Sequence, residues 1–162
     1  MKKSVRVFAA AAAALGIGIG MPGNAAKSPI QDLAGRWSGS GTVEWKNGKQ
    51  DAYQCVVTYF LQDAGASLKQ TLRCKSPGDH KLELATLMQV SGEQLVGTWE
   101  ERMSSMTGDV QGRVTKNGFQ ALAQNRWFQA SFDIAMQGGC QQLITIRPSR
   151  EIEVISAMLK KC

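Results

Sequence analysis

The sequence predicts an all-β protein that folds as an antiparallel up-and-down barrel of about 8–10 strands. Apolar and polar residues alternate with a period of two through most of the chain, which is typical of strands with one buried face. Short turns rich in Gly, Asn, Asp and Ser separate these segments. A long series of hairpins protects its edge strands best by closing on itself, so a barrel is favoured over an open sheet.

The first strand, Gly35–Trp45, is the segment around which we expect the other strands to be organised. Its alternate positions place large and small residues on one face: Trp37, Gly39, Gly41, Val43 and Trp45. Glycine lacks a side chain, so it allows a strand to bend or allows another strand or a ligand to approach the backbone. Strand curvature is the primary explanation for these glycines, and ligand contact is the secondary one.

The remaining strands follow at hairpin spacing, and no helix is predicted. Residues 26–32 form a short leader, and strands are expected over 50–62, 67–74, 80–90, 94–101, 108–115, 119–124, 127–136 and 140–147. The last segment, 151–162, also fits a helix, because Ile152, Ile155 and Met158 lie at helical spacing. We predict a strand there, since a disulfide bond at Cys162 needs an antiparallel partner.

Residues 1–25 have the features of a cleavable signal peptide. Basic residues open the segment, an apolar stretch covers 7–19, and Gly23-Asn24-Ala25 resembles a cleavage site. The apolar stretch is short for a transmembrane helix, so no stable membrane anchor is expected after cleavage. We therefore expect a periplasmic or secreted protein with one barrel domain at 26–162.

Charge gives little support for a nucleic-acid partner. The whole chain has a formal net charge of +6, but Lys2, Lys3 and Arg6 lie in the predicted signal peptide, and without them the net charge is +3. The remaining basic residues are scattered and form no run. A basic surface for nucleic acid or for anionic lipid is therefore not indicated.

The cysteines agree with an oxidising compartment, where disulfide bonds are the usual outcome. They form an even set: Cys55, Cys74, Cys140 and Cys162. A turn at 64–65 lies midway between the first two, and a turn at 148–150 lies close to the midpoint of the last two. Residues equidistant from a turn face each other in an antiparallel hairpin. The expected pairs are Cys55 with Cys74 and Cys140 with Cys162, and no metal site is expected because close Cys-x-x-Cys pairs are absent from the sequence.

The segment Gly35-Arg36-Trp37-Ser38-Gly39-Ser40-Gly41 resembles the opening strand of calycin-type barrels. Gly35 and Trp37 match the Gly-x-Trp of lipocalins, and the longer Gly-x-Trp-x-Gly-x-Gly is similar to that of nitrobindins, which are ten-stranded haem barrels. The mature chain also resembles a family of uncharacterised exported proteins from alphaproteobacteria, through 35–41, 55–60, 72–74, 97–102 and Cys162. This resemblance implies a barrel and implies no particular activity.

Two departures limit what the resemblance implies. A nitrobindin-like haem site needs an axial histidine late in the chain, and the one histidine of the sequence is His80, beside a Pro-Gly-Asp turn. No cofactor is therefore expected. Fatty-acid-binding proteins have a helical lid between early strands, and the turn at Asn47-Gly48 is too short for one.

Catalytic residues are not indicated. Glu100 and Glu101 could be read as paired carboxylates of a hydrolase. Adjacent strand residues point to opposite faces, so the two side chains cannot line one pocket, and Arg102 is a ready ion-pair partner. A Ser-His-acid site is also disfavoured, since His80 lies in a turn and no nucleophile-elbow motif is present. We expect a protein that is not an enzyme.

The tryptophan and glycine residues give the leading functional hypothesis. They are candidates to line a ligand site inside the barrel: Trp37, Gly39, Gly41, Trp45 and Trp99. The expected ligand is a small apolar or amphipathic molecule or an envelope component. The alternative is a structural or interaction protein of the cell envelope, which includes an inhibitor-like partner of another protein. It would have a filled barrel and an exposed apolar patch around Met103 and Met106.

Overall fold

The alternation of apolar and polar residues continues through ten strands, which close into an antiparallel barrel in the computed structural model. The structure describes residues 28–161. The strands are β1 (Gly35–Trp45), β2 (Gln50–Gln62), β3 (Ser67–Lys75), β4 (Lys81–Ser91), β5 (Gln94–Glu101), β6 (Met106–Thr115), β7 (Gly118–Gln124), β8 (Gln129–Met136), β9 (Gln141–Pro148) and β10 (Ile152–Lys160). Each strand pairs with its neighbours in the sequence, and β1 pairs with β10. The predicted up-and-down barrel is confirmed.

The glycines of β1 lie where the barrel closes. Gly39 is opposite Leu159 and Gly41 is opposite Ala157 across the β1–β10 pair. A Cβ atom at Gly39 would lie 2.1 Å from the Met158 carbonyl oxygen, and one at Gly41 would lie 2.6 Å from the Ser156 carbonyl oxygen. No side chain fits at these distances, so glycine is needed here for the close approach of the two strands.

The inward faces of the strands form the hydrophobic core. Trp37 on β1, Val57 and Tyr59 on β2, and Leu72 on β3 are all at most 2% exposed. The predicted strand at the end of the chain is confirmed as β10, and its Ala157 and Leu159 are buried in the same core. The alternative of a terminal helix is therefore excluded.

A short helix that the sequence did not predict closes one end of the barrel. Helix α1 (Pro29–Leu33) lies against β6 and β7. Its Ile30 and Leu33 are buried, and the Leu33 carbonyl accepts a hydrogen bond of 2.7 Å from the Trp37 indole. Five residues are too few to show helical periodicity, which explains why the sequence pattern missed this helix. We call this the closed end of the barrel.

The first predicted disulfide bond is confirmed and the second lies partly outside the described residues. Cys55 and Cys74 are direct partners across β2 and β3 and form a disulfide bond. Cys140 lies opposite Lys161, whose N–H donates to the Cys140 carbonyl at 3.1 Å. This places the backbone of Cys140 near the position that precedes Cys162. Cys162 is outside the described residues, so the Cys140–Cys162 pair stays a prediction.

Half of the strand boundaries coincide with the predicted ones, and the others differ by one or two residues. The eighth strand was expected to begin at Trp127 and begins at Gln129. The reason is a turn in which the Asn125 side-chain oxygen accepts hydrogen bonds from the N–H groups of Trp127 and Phe128. The predicted signal peptide at 1–25 also lies outside the described residues. Within 28–161, no helix is both long enough and apolar enough to cross a membrane.

Candidate functional site

A cavity of about 580 Å³ opens at the end of the barrel opposite α1. We call this the open end, and its loops are 46–49, 76–80, 102–105, 125–128 and 149–151. The cavity exists because several inward side chains near this end are small, such as Ala123 and Ala130. Larger apolar side chains form the rest of its wall: Leu84, Trp99, Met106, Phe128, Phe132, Ile146 and Ile155.

Trp99 lies in the cavity wall, where one ring contact and one hydrogen bond hold it. Its ring packs on that of Phe128 with 5.6 Å between centroids, and its indole N–H donates to the Gln124 carbonyl at 3.3 Å. Gly108 is opposite Trp99 in the β5–β6 pair, and a Cβ there would lie 2.6 Å from the indole nitrogen. The pairing of glycine with tryptophan in this part of the sheet therefore makes room for a large ring.

Trp45 lies at the mouth of the cavity. Its indole N–H donates to the Asp51 carboxylate at 2.8 Å, and Lys49 forms an ion pair with the same carboxylate at 3.2 Å. The hydrogen bonds from Trp45 and Lys49 lower the pKa of Asp51 below its ordinary value. Asp51 therefore remains ionised at neutral pH and anchors the Trp45 ring against the mouth.

A smaller side cavity of about 240 Å³ adjoins the main one. The two cavities share Trp45, Lys81 and Leu82 in their walls, together with two isoleucines of β10. The Cys55–Cys74 disulfide bond and Gly41 line the side cavity. The disulfide bond therefore braces a wall of the candidate site as well as the β2–β3 hairpin.

The structure separates the five residues that the sequence grouped into one site. Trp45 and Trp99 line the main cavity, and Gly41 lines the side cavity. Trp37 lies at the closed end under Leu33, with the Lys161 ammonium 5.4 Å from its ring centroid. Gly39 abuts the β10 backbone. The two predicted tryptophans of the cavity are thus at the open end, and Trp37 packs in the core.

Glu101 is the buried carboxylate of the cavity wall. One of its oxygens accepts hydrogen bonds from the Glu83 and Met103 N–H groups, and the other accepts from the Ser104 N–H and hydroxyl. Burial raises its pKa, but the hydrogen bonds from Ser104, Met103 and Glu83 outweigh that effect and leave the pKa below its ordinary value. The carboxylate is therefore ionised and fully engaged in holding the 102–105 turn.

Acidic and basic side chains near Glu101 form ion pairs on the outer surface. Glu100 points away from Glu101 and lies 3.5 Å from Arg102, which confirms that the two glutamates do not share a pocket. Arg73 and Arg102 each lie 3.0 Å from the Glu83 carboxylate on the outer surface. Their hydrogen bonds lower the pKa of Glu83. In the described part of the chain, no cluster of three or more His, Cys, Asp or Glu side chains is arranged to hold a metal ion.

Sequence reasoning missed a row of polar side chains deep in the barrel. Gln70 lies between Tyr59 and Thr86 across β2, β3 and β4, and all three point inward. Thr86 donates to the Gln70 side-chain oxygen at 3.3 Å, and Gln142 on β9 donates to the Tyr59 hydroxyl at 3.0 Å. Burial raises the pKa of Tyr59, so its phenol is neutral. A glutamine on the inward face of a strand was the available signal, since buried polar side chains are uncommon in barrel cores.

The fold is shared with solved β-barrels of very different sequence. The chain is similar to Rv2717c from M. tuberculosis (13% identity, 84% of this chain and 98% of that chain, TM-score 0.62). It is also similar to the S-type phycobiliprotein lyase CPES from Guillardia theta (8% identity, 81% and 88%, TM-score 0.60). A third similar structure is the redesigned β-barrel mFAP1 bound to DFHBI (11% identity, 83% and 100%, TM-score 0.51).

At these identities the similarities show the β-barrel fold alone. No protein-family model matches the chain, and the comparison with curated proteins found no match. The predicted membership of a family of exported proteins therefore stays a prediction. The structural conclusion is that the chain forms a closed ten-stranded antiparallel β-barrel with one covered end and one cavity-bearing end.

Proposed function

We propose that this protein binds a small apolar or amphipathic molecule in the cavity at the open end of its barrel. The observation that carries the proposal is the cavity itself, which measures about 580 Å³ and has a mainly apolar wall. Small-molecule sites have volumes of roughly 300–1,000 Å³ and walls of this kind. Charged side chains at the mouth, Lys81 and Arg150 among them, suit an amphipathic ligand whose polar end stays near water.

The asymmetry of the two ends supports the same proposal. At the closed end, Leu33 and Trp37 are both 0% exposed and fill the interior. At the open end, alanines occupy inward positions where such large side chains would fill the space. A barrel needed only as a packed scaffold would gain stability from filling both ends, since each buried methylene group contributes about 0.8 kcal/mol. Among the similar structures, the mFAP1 barrel has the small molecule DFHBI bound.

The proposed role is binding and not catalysis. Glu101 is the one carboxylate that reaches the cavity wall from an inward strand position in the described residues. It already accepts four hydrogen bonds, from Glu83, Met103 and Ser104. An acid or base must be free to exchange a proton with the substrate, and a carboxylate so engaged is a structural anchor. Export to the periplasm remains part of the proposal, and the Cys55–Cys74 bond supports an oxidising compartment.

A protein-docking role is the second candidate, and two exposed side chains favour it. Met103 is 58% exposed and Trp127 is 68% exposed, and both lie on loops of the open end. Met103 also lines the cavity, together with Met106, which the sequence grouped with it in an exposed patch. Met106 is only partly exposed, so the exposed apolar surface is smaller than the docking hypothesis predicts.

Probe binding with cavity-filling variants tests the ligand-binding proposal. The purified protein is titrated with 1-aminoanthracene, an apolar dye whose fluorescence rises in an apolar site. Ala123→Phe adds a ring inside the cavity, because Ala123 is 1% exposed and lines its wall. We expect binding at least about tenfold weaker, since a loss of about 1.4 kcal/mol of apolar contact corresponds to that factor.

The matched control is Val96→Phe. Val96 is 53% exposed on the outer face of β5, so the same ring is added away from the cavity. Its affinity should equal that of the unaltered protein. No dye binding by the unaltered protein, or equal binding by the two variants, would refute the proposal. Mass spectrometry of protein taken from its native cells would then identify the ligand, and a protein partner recovered without any small molecule would favour docking.

A further inference from the structure

The loops of the open end are more basic than those of the closed end. Outside the strands, the charged side chains of the open end are Lys46, Lys49, Arg102, Arg126 and Arg150 against Asp79 and Glu151. Those of the closed end are Lys116 and Lys161 against Asp32, Asp63 and Glu93. The basic positions of the open end are far apart in a sequence that has no basic run, so the closure of the barrel is what gathers them.

Part of this positive charge is not neutralised by neighbouring carboxylates. Lys46, Arg126 and Arg150 are exposed and form no ion pair with another residue of 28–161. Ion pairs with the barrel wall occupy the other two basic side chains of these loops. Glu151 is the opposing carboxylate of the loops that has no basic partner within the same residues. The unpaired cations therefore leave a positive surface that a negatively charged partner can meet.

The same loops carry exposed apolar side chains beside the cavity mouth. Met103 and Trp127 are the large exposed hydrophobic residues that lie outside the strands in the described part of the chain. The Arg126 guanidinium lies 5.0 Å from the centroid of the Trp127 ring, and the Arg150 guanidinium donates to the Trp127 carbonyl at 2.7 Å. Phe128, the next residue, lines the cavity. These contacts hold an exposed indole ring next to two cations at the edge of the mouth.

This combination suits the surface of a lipid bilayer better than a folded protein. Tryptophan rings favour the headgroup region of a bilayer, and exposed Lys and Arg side chains are attracted to anionic lipids. A stable interface between two proteins covers about 800 Å² on each partner, and two exposed apolar side chains are few for such an area. Attachment to a bilayer surface depends instead on buried apolar area and charge attraction together.

We propose that the open end docks reversibly on the surface of a bilayer that contains anionic lipids. In this orientation Met103 and Trp127 lie among the lipid headgroups, the unpaired cations meet the negative charges, and the cavity mouth faces the membrane. The docking itself needs no bound ligand. The exchange of an amphipathic ligand between the bilayer and the cavity follows from the same orientation, and this part rests on the proposed function.

Flotation of the protein with lipid vesicles tests this inference. The protein is used as residues 26–162, because the apolar stretch at 7–19 would itself bind lipid and residues 28–161 contain the whole barrel. The vesicles are either phosphatidylcholine alone or equal parts of phosphatidylcholine and phosphatidylglycerol. We expect binding to the mixed vesicles at low salt and much weaker binding to phosphatidylcholine alone. High salt should release the protein, since it screens the attraction between exposed charges.

The double variant Lys46→Gln, Arg126→Gln removes two of the unpaired charges at the open end. We expect about twentyfold weaker binding to the mixed vesicles, since each basic side chain near an anionic surface contributes roughly fivefold. Trp127→Ala should also weaken binding, because it removes the exposed ring. The matched control is Lys116→Gln, Lys160→Gln, which changes the net charge equally at exposed positions near the closed end and should bind as the unaltered protein does.

Three results would overturn the docking inference: no binding to the mixed vesicles, equal binding to the two kinds of vesicle, or an equal loss in the two double variants. Binding to poly-glutamate without binding to the mixed vesicles would also overturn it and would assign the open end to an acidic protein. Titration with 1-aminoanthracene separates this inference from the proposed function. A protein that binds the dye but not the vesicles overturns the docking alone, and one that binds the vesicles but not the dye overturns the proposed function and the ligand exchange.

Discussion

The hydrogen bonds of Glu101 predict a large loss of stability when its carboxylate is replaced by an amide. In Glu101→Gln, one side-chain oxygen remains and the other becomes an NH₂ group. In the unaltered protein, one oxygen accepts a 2.7 Å hydrogen bond from the Ser104 N–H and another from the Ser104 hydroxyl. The other oxygen accepts hydrogen bonds of 3.3 Å from the Glu83 N–H and 3.1 Å from the Met103 N–H. Whichever way the amide turns, two bonds lose their acceptor.

Hydrogen bonds to charged groups contribute about 1.5–3 kcal/mol each, and part of this is retained when the turn relaxes. We therefore expect Glu101→Gln to lower the free energy of unfolding by about 2–3 kcal/mol at pH 7. For a domain of this size the melting temperature should fall by roughly 7–10 °C. Urea unfolding followed by circular dichroism measures the change. Glu100→Gln is the control, since Glu100 is exposed and contacts only the outer surface, where ion pairs contribute at most about 1 kcal/mol.

The pH dependence of the free energy of unfolding tests the role of Glu101 more directly. Because folding lowers the pKa of Glu101, its ionised form stabilises the protein fully above the unfolded-state value of about 4.3. That contribution is lost as the pH falls further through the folded-state pKa. The stability difference between the unaltered protein and Glu101→Gln should therefore be constant from pH 7 to about pH 5 and should shrink below about pH 4. A difference that is absent at pH 7, or that does not change in acid, would refute the assignment of Glu101 as a charged anchor.

Two further predictions concern the ends and walls of the barrel. Leu33→Ala removes a side chain that is 0% exposed under the closed end, and we expect a loss of about 2–5 kcal/mol in urea unfolding. Gln31→Ala on the exposed side of the same helix is the control, and an equal loss in both would contradict a packing role for Leu33. Reduction of the Cys55–Cys74 bond, which closes a loop with a sequence separation of 19, should cost about 3 kcal/mol. The measurement compares oxidised and reduced protein in a Cys140→Ala, Cys162→Ala background, and coincident unfolding curves would show that the hairpin needs no cross-link.

The strands could be predicted because each one shows a local pattern of residues in the sequence. In β4, for example, Leu82, Leu84, Met88 and Val90 occupy alternate positions, and this period of two indicates which face is buried. The Cys55–Cys74 pair followed from the same local geometry, since residues equidistant from a tight turn must meet. Helix α1 shows no such pattern, because a segment of five residues is too short for a helical repeat. Its two buried residues, Ile30 and Leu33, give a single spacing of three.

The candidate site was predicted only in part. Its residues were chosen by residue type and not by their position along the barrel axis. Trp45 and Trp99 lie near strand ends that meet at the open end, whereas Trp37 lies near the opposite end. The position of a residue along the barrel axis depends on the stagger between paired strands, which the alternation within a single strand does not specify. The alanines that create the cavity show no distinguishing pattern within a single strand, and Gln70 lies on a face of β3 that Leu68 and Leu72 dominate.

The sequence by itself determined the all-β architecture, the order and lengths of the strands, the inward face of each strand and one disulfide bond. These follow from local periodicity and turn chemistry, which act over a few residues. The tertiary structure decided which end α1 covers and where the cavity lies. An interior space is bounded by side chains from many strands at once, so its size depends on closure and stagger of the whole barrel and not on any single segment.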